Sequence, residues 1–496
     1  MYMKNFGDFI QYLQTKEQKR EITILSVLIC CLGIVFYQLY PFPFTYPDTG
    51  AYVLSAQSGA FNIYRPMGYS YYLQMVHQIS SNITFVFIIS YLLNAASSLF
   101  FLYSFKYLID LRNKYIFYSI CFFVFLSPTI LFTTNFLMSD GLFTTLTIFF
   151  LTTAAWVINC KNNWMIVLHL FSFVLLYNVR YAGMFYIPIS MFVLFLAFHK
   201  KSILIKVSVL LLPVILFLFM QENTRKNYKS ITGVNITSGF SGWLLINNAA
   251  VLIPKAKELP AAKFHTNKEQ LLHNYFNTCP DSLFTMERTL TTDFMWNSEL
   301  PFKQFTFYYG NTFEKPYTLS WVETGELYSS YASKMILTYP FYFFSHYYVS
   351  SFLSFFDFQP ITEEKIEFVN EKMYQEYYGV QADKYIHSNS LFTNINPLRH
   401  VLHYIYWISL IAAIVYFLIQ ARKTDFTEKR WQTAGLFVLF IIIYIGASAL
   451  ACPNTTWRYA LPMYVPSILF IGYIAKNIYE RKQHNQAVTL IRKRTK

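Results

Sequence analysis

The chain has 496 residues, 55% of them hydrophobic and 20% aromatic, and its 13% of charged residues is about half the share usual in a soluble domain. This composition excludes a soluble enzyme, a disordered chain and a nucleic-acid-binding domain, although 40 basic against 26 acidic residues give a formal charge of +14. The positive excess fits instead the bias of Lys and Arg toward the cytoplasmic loops of membrane proteins, so the chain reads as an all-α polytopic membrane protein.

Apolar segments able to cross the ~30 Å hydrocarbon core are predicted at 22–40, 83–105, 115–134, 141–159, 163–178, 182–198, 202–220, 399–420, 432–450 and 458–477. The first follows Lys16, Lys19 and Arg20 and reads as a retained signal anchor. Segment 67–80 is too short to span at 1.5 Å per residue. Segment 336–356, rich in Tyr and containing His346, suits an interfacial helix better than a lipid-exposed span.

With both of these at the surface, the basic connections fall on one side: Lys106, Arg112 and Lys114; Lys161; Lys200 and Lys201; Arg422, Lys423, Lys429 and Arg430; and the tail Lys476–Lys496. Segment 221–398, with net charge −3, falls on the other. The expectation is about ten transmembrane helices with both termini cytoplasmic. An N-terminal membrane module occupies 1–220, an extracytoplasmic domain 221–398, the last spans 399–477 and a basic tail 478–496. The composition of 221–398 does not choose between an α and an α/β fold. Six cysteines imply no disulfide framework; Cys279 and Cys452, both in loops, are the one pair left open.

The remaining charges need another explanation. Between Ile22 and Met220 the carboxylates are Asp48, Asp110 and Asp140, and Asp110 sits among cytoplasmic basic residues. Asp48 and Asp140 are predicted on the opposite face, as are Arg65, Arg180, Arg399 and Arg458. Asp48 could instead cap a helix beginning at Thr49, and Asp140 one beginning the fourth span. Arg65 could snorkel at the interface, and Arg399 and Arg458 could be interfacial anchors. Taken together, ionisable groups at one face of a membrane protein suggest function, and arginines suit an anionic headgroup because they bind phosphate bidentately.

Five short motifs carry a resemblance. They are Pro47-Asp48-Thr49-Gly50-Ala51-Tyr52, Tyr64-Arg65-Pro66-Met67-Gly68-Tyr69, Leu137-Met138-Ser139-Asp140, Asn178-Val179-Arg180-Tyr181-Ala182-Gly183 and Trp457-Arg458-Tyr459-Ala460-Leu461-Pro462. In this order the chain resembles the GT-C glycosyltransferases that use polyprenyl-phosphate sugars, such as protein O-mannosyltransferases and aminoarabinose transferases. The likeness covers residues 22–220 and, more loosely, the last three spans. The first loop departs from members with paired acids by having one, which argues against a metal-bound site.

The resemblance implies a GT-C-like fold with juxtamembrane helices and an inverting transferase acting at the extracytoplasmic face, for which a bacterial plasma membrane is the expected location. A hexosyl or pentosyl group would pass from a polyprenyl-phosphate donor to a hydroxyl of a lipid, glycan or protein acceptor, with no metal or other cofactor. Asp48 would be the general base; Asp140 would orient its surroundings or hydrogen-bond the sugar or acceptor, with a catalytic role as the second choice. Arg65, Arg180 and Arg458 would hold the donor phosphate, and Tyr46, Tyr52, Tyr64 and Tyr69 would line the groove. A polysaccharide polymerase or ligase of the outer membrane face and a secondary transporter are the alternatives.

Overall fold

A computed structural model describes residues 5–40, 43, 45–160, 162–357, 371–380, 390–422, 428–453 and 457–494. Lys161, Lys423 and Lys496, which enter the charge pattern above, lie outside the described residues. Eight described helices are long and apolar enough to cross a membrane, making this an integral membrane protein: Lys16–Leu39, Ile83–Leu108, Ser139–Asn159, Tyr181–Phe198, Ile203–Thr232, Leu398–Ala421, Lys429–Ala451 and Arg458–Gln486. They correspond to eight of the ten predicted segments.

The other two are less regular. Segment 115–134 divides into Lys114–Phe125 and Pro128–Thr134, bent by 47°. The break falls at Ser127, whose φ of −65° and ψ of 118° are those expected immediately before a proline. Segment 163–178 becomes Asn163–Val179, 17 residues long and short for a span. The doubtful segment 67–80 forms the 12-residue helix Gly68–Ile79.

Ser139–Asn159 is the most enclosed of the long helices and packs against Ile83–Leu108, Asn163–Val179, Ile187–Phe198, Lys429–Ala451 and Trp457–Arg494. Its threonines can be buried because they bond within the helix: Thr145 Oγ1 donates to Gly141 O at 3.0 Å and Thr152 Oγ1 to Ile148 O at 2.7 Å. Other polar groups fix its neighbours. Asn94 donates to Thr145 at 3.1 Å, Trp156 Nε1 to Ser104 at 2.9 Å and Asn159 to Thr433 at 2.8 Å. Such bonds are a source of order between helices whose apolar faces gain little by leaving lipid.

Segment 221–398 contains helices and no strand among its described residues, which favours the all-α option for that domain. The predicted boundary at 221 lies inside the helix Ile203–Thr232, which continues past the seventh predicted segment. The domain core is aromatic: Trp243, Trp321, Tyr328, Tyr331, Phe302 and Phe305 are all fully enclosed. The expected interfacial helix at 336–356 begins later. Residues 336–338 end the helix Tyr317–Thr338, and Tyr339-Pro340 breaks it before a series of short helical turns reaching Phe356. All six cysteines are free, including Cys279 and Cys452.

The domain is tied to one end of the bundle. Asn248 Nδ2 donates to Leu450 O at 3.1 Å and to Ala451 O at 2.9 Å, and Tyr228 Oη donates to Ile63 O at 2.8 Å. These bonds set it beside the loop that carries Arg65 and close to the end of the helix that precedes Arg458.

Candidate functional site

Tyr46 enters the helix Pro47–Ser58 in extended conformation, and its N–H donates to Thr49 Oγ1 at 2.9 Å. Thr49 thus closes the first turn and leaves the Asp48 carboxylate unused by the helix end. Asp48 accepts two hydrogen bonds from Arg65, whose terminal nitrogen lies 2.9 Å from each carboxylate oxygen. The capping and snorkelling readings of these two residues are therefore replaced by an ion pair.

Asn62 holds the Arg65 loop. Its Oδ1 accepts the N–H groups of Tyr64 and Arg65, each at 2.9 Å, and its Nδ2 donates to Ala51 O at 3.0 Å. One buried amide therefore fastens the loop carrying the cation to the helix carrying the acid.

Asp140 lies in the first turn of Ser139–Asn159, where the helix dipole favours an anion, and it is almost fully buried. Met138, not Asp140, is the N-cap. Arg180 and Arg458 both pair with the Asp140 carboxylate, one on each oxygen, with Arg458 at 3.0 Å. Arg180 reaches it from the extended residue between Asn163–Val179 and the short helix Tyr181–Tyr186. Arg458 reaches it from the first turn of Trp457–Arg494. A buried carboxylate with one partner removed is costly, so two arginines hold the ends of three helices together here.

Two motif glycines permit these approaches. A Cβ on Gly68 would stand 2.4 Å from the Asn178 carbonyl oxygen, and one on Gly183 would stand 2.6 Å from Tyr177 backbone atoms. Gly68 lets the helix that follows Arg65 lie directly on the turn that precedes Arg180.

Aromatic residues join the two ion-pair centres. The Tyr52 and Ser139 hydroxyls are 3.0 Å apart, and Tyr69 meets Tyr52 edge-on at 5.0 Å. The Arg458 guanidinium lies 4.8 Å from the Tyr46 ring centre while paired with Asp140. Tyr64 points elsewhere among the proposed groove residues, toward Trp321 at 5.4 Å and Trp296 at 6.4 Å. Sequence reasoning gave no role to Asn62, Phe143 or Tyr459, yet the last two each place a ring 5.7 Å from the Arg180 guanidinium. Tyr459 stood within a recognised motif; Asn62 carried no comparable signal. Arg399 is buried in the helix Ser390–Ala421.

Burial by itself would raise the Asp48 carboxyl, but the charges of Arg65 and Arg458 and the Arg65 hydrogen bonds outweigh it and hold the carboxyl below its ordinary value. Three guanidiniums face two carboxylates, leaving one net positive charge. Asp140 is sealed, whereas Asp48 and all three arginines keep part of their side chains exposed. Among the described residues no three His, Cys, Asp or Glu side chains come together as a metal-holding group. The arrangement can receive an oxyanion at the arginines and a proton at Asp48. Comparison with protein-family models, curated proteins and solved structures finds no match to this chain.

Proposed function

We propose that this protein is an inverting glycosyltransferase of the GT-C kind, moving a sugar from a polyprenyl-phosphate donor to an acceptor hydroxyl at the extracytoplasmic face of a bacterial plasma membrane. The observation that carries the reading is the convergence of Asp48, Arg65, Asp140, Arg180 and Arg458 at one end of an apolar helix bundle. The net charge of the cluster supports it. A sugar phosphodiester carries one negative charge, which a site of net charge +1 neutralises.

The reaction breaks the bond between the anomeric carbon and the phosphate oxygen, whose electrons stay on the departing polyprenyl phosphate. The acceptor oxygen bonds to the anomeric carbon from the opposite side, which inverts its configuration, and the hydroxyl proton passes to Asp48. The leaving group changes from monoanion to dianion. Arg65, Arg180 and Arg458, held in place before the reaction, stabilise the added charge. In the substrate-free arrangement Asp48 is a weak base because Arg65 holds it. An incoming phosphate competes for Arg65, so donor binding itself frees Asp48 and makes it more basic.

The test is sugar loss from radiolabelled polyprenyl-phosphate monosaccharides in proteoliposomes containing wild type or Asp48→Asn. Label lost with wild type alone supports the donor class and the role of Asp48. Consumption of a diphosphate-linked oligosaccharide instead would move the reading to a polymerase or ligase, and an inhibitor-sensitive substrate gradient would move it to a transporter.

A further inference from the structure

Lys303 is an unusual cation. It lies in the helix Pro301–Thr312, is 9% exposed, and has no carboxylate in an ion pair with it among the described residues. Four rings surround its ammonium group: Trp321 at 4.4 Å, Trp296 and Tyr317 at 5.2 Å and Trp243 at 5.6 Å from the ring centres. Ring faces attract a cation, which offsets part of the cost of burying it. Burial still pushes the ammonium down to about 8. A methionine would fill the same space without that cost, so packing alone does not account for a lysine here.

Hydrogen-bond supply exceeds demand at Lys303 and on one of the rings around it. Of the three ammonium N–H groups, the described residues provide one acceptor, the Tyr317 hydroxyl. The indole N–H of Trp321, a residue that is fully buried, has no partner among the described residues. Buried donors without acceptors call for an oxygen-rich occupant. The two outer walls of the box remain open, with Trp296 39% and Tyr317 40% exposed. The Tyr317 phenol is protonated at neutral pH as any tyrosine is, and burial moves it further from ionisation, up to about 12. A phenol oxygen that accepts from an ammonium becomes a stronger O–H donor to a third group.

The box is continuous with the charged site. The Arg65 guanidinium lies 4.4 Å over Phe240, Phe240 stacks on Trp296 at 5.8 Å, and Trp296 stacks on Trp321 at 5.3 Å. Tyr64, next to Arg65 in the chain, packs against the same two tryptophans. A row of ring faces thus runs from the ion pair of Asp48 to Lys303. Flat aromatic faces beside hydrogen-bond donors suit a saccharide ring, whose C–H face is apolar and slightly positive and whose edge is lined with acceptor oxygens.

We propose that Trp296, Tyr317 and Lys303 form the acceptor subsite, holding a saccharide ring of a glycan acceptor against the two exposed rings, with its oxygens accepting from Tyr317 and Lys303. This rests on the transferase reading of the charged site and narrows its acceptor to a glycan.

The test is a saturation-transfer NMR titration of the detergent-solubilised full chain with two probes, a neutral cello-oligosaccharide and an oligogalacturonate, run beside the donor-cleavage assay. Wild type is expected to bind saturably. Trp296→Ala is expected to weaken binding about tenfold or more, the scale of losing one well-packed ring contact, and Trp296→Phe to restore most of it. Lys303→Met is expected to weaken the galacturonate more than the neutral probe. Thermal melts of each variant separate lost binding from lost folding. Failure of wild type to bind either probe, or binding as tight as wild type by folded Trp296→Ala and Lys303→Met, overturns the subsite, even if donor cleavage stands. Binding that depends on Trp296 in a protein that cleaves no polyprenyl-phosphate donor overturns the assignment to an acceptor.

Discussion

Arg65 meets Asp48 through one terminal nitrogen shared between both carboxylate oxygens, 2.9 Å from each. This geometry is not the fork-to-fork pairing that uses two guanidinium nitrogens, so other Arg65 N–H groups are left for an incoming anion. In the proposed mechanism this pair exchanges partners: Arg65 passes to a phosphate while Asp48 is released for proton transfer.

Replacing Asp48 with Asn keeps the shape and removes the proposed base. Transfer is expected to fall by roughly 10²–10⁴-fold, the range typical of general-base loss, while the protein remains folded and membrane-inserted. Label release from the lipid donor measures this. Near wild-type turnover by a well-expressed Asp48→Asn protein ends the base assignment.

The pH profile separates the paired and released states. With its carboxyl held below the ordinary value by Arg65, Asp48 contributes stability that is present above the unfolded carboxyl value, about 3.9. That contribution is lost as pH falls through the lower folded value. The acid limb of kcat/KM, which reports the free enzyme, is therefore expected below about 4. The acid limb of kcat, which reports the donor complex, is expected at higher pH because in the proposed mechanism phosphate takes Arg65. Coincident limbs would remove the partner exchange.

Asp140 is shared by Arg180 and Arg458, so their substitutions are expected to couple. Either Arg→Ala change leaves the buried carboxylate one partner. The double change leaves none, and its destabilisation is expected to exceed the sum of the singles by about 1–3 kcal/mol. A denaturation cycle of the four proteins in one detergent measures the coupling, and simple additivity would show that the arginines act separately.

Asn62 tests positioning without a change of charge. Asn62→Ala removes the acceptor for two backbone N–H groups, a loss of about 1–3 kcal/mol in a buried setting. Donor KM is expected to rise, because Arg65 is the side chain set loose. An unchanged KM in a destabilised protein would limit Asn62 to a structural role.

Gly68→Ala tests the contact between the two loops. The added methyl would meet a backbone oxygen at 2.4 Å, which cannot rotate away as a side chain could. The helix Gly68–Ile79 must then move off the turn before Arg180. Activity is expected to drop at least tenfold although every ionisable side chain remains, and full activity would show that the contact is dispensable.

The sequence by itself determined that this is a helical membrane protein, roughly where its long helices run, and which ionisable residues stand apart from the cytoplasmic basic loops. These are properties of single residues and short segments. The cost of placing a charge near a bilayer makes Asp48, Asp140 and Arg180 conspicuous in an apolar chain, whatever their neighbours turn out to be. Partnership is a property of pairs, and only the tertiary structure decided it. Asp140 takes one arginine 40 residues away and another 318 residues away, a choice set by how three helix ends meet. The same reason hides Asn62, whose value lies in three backbone partners, and the rings around Lys303: Tyr317 and Trp321 share one helix four residues apart, but Trp243, Trp296 and Lys303 itself come from three other elements. The domain after Thr232 was equally illegible because its short helices are held by aromatic packing between elements, and they leave little periodicity within any one of them.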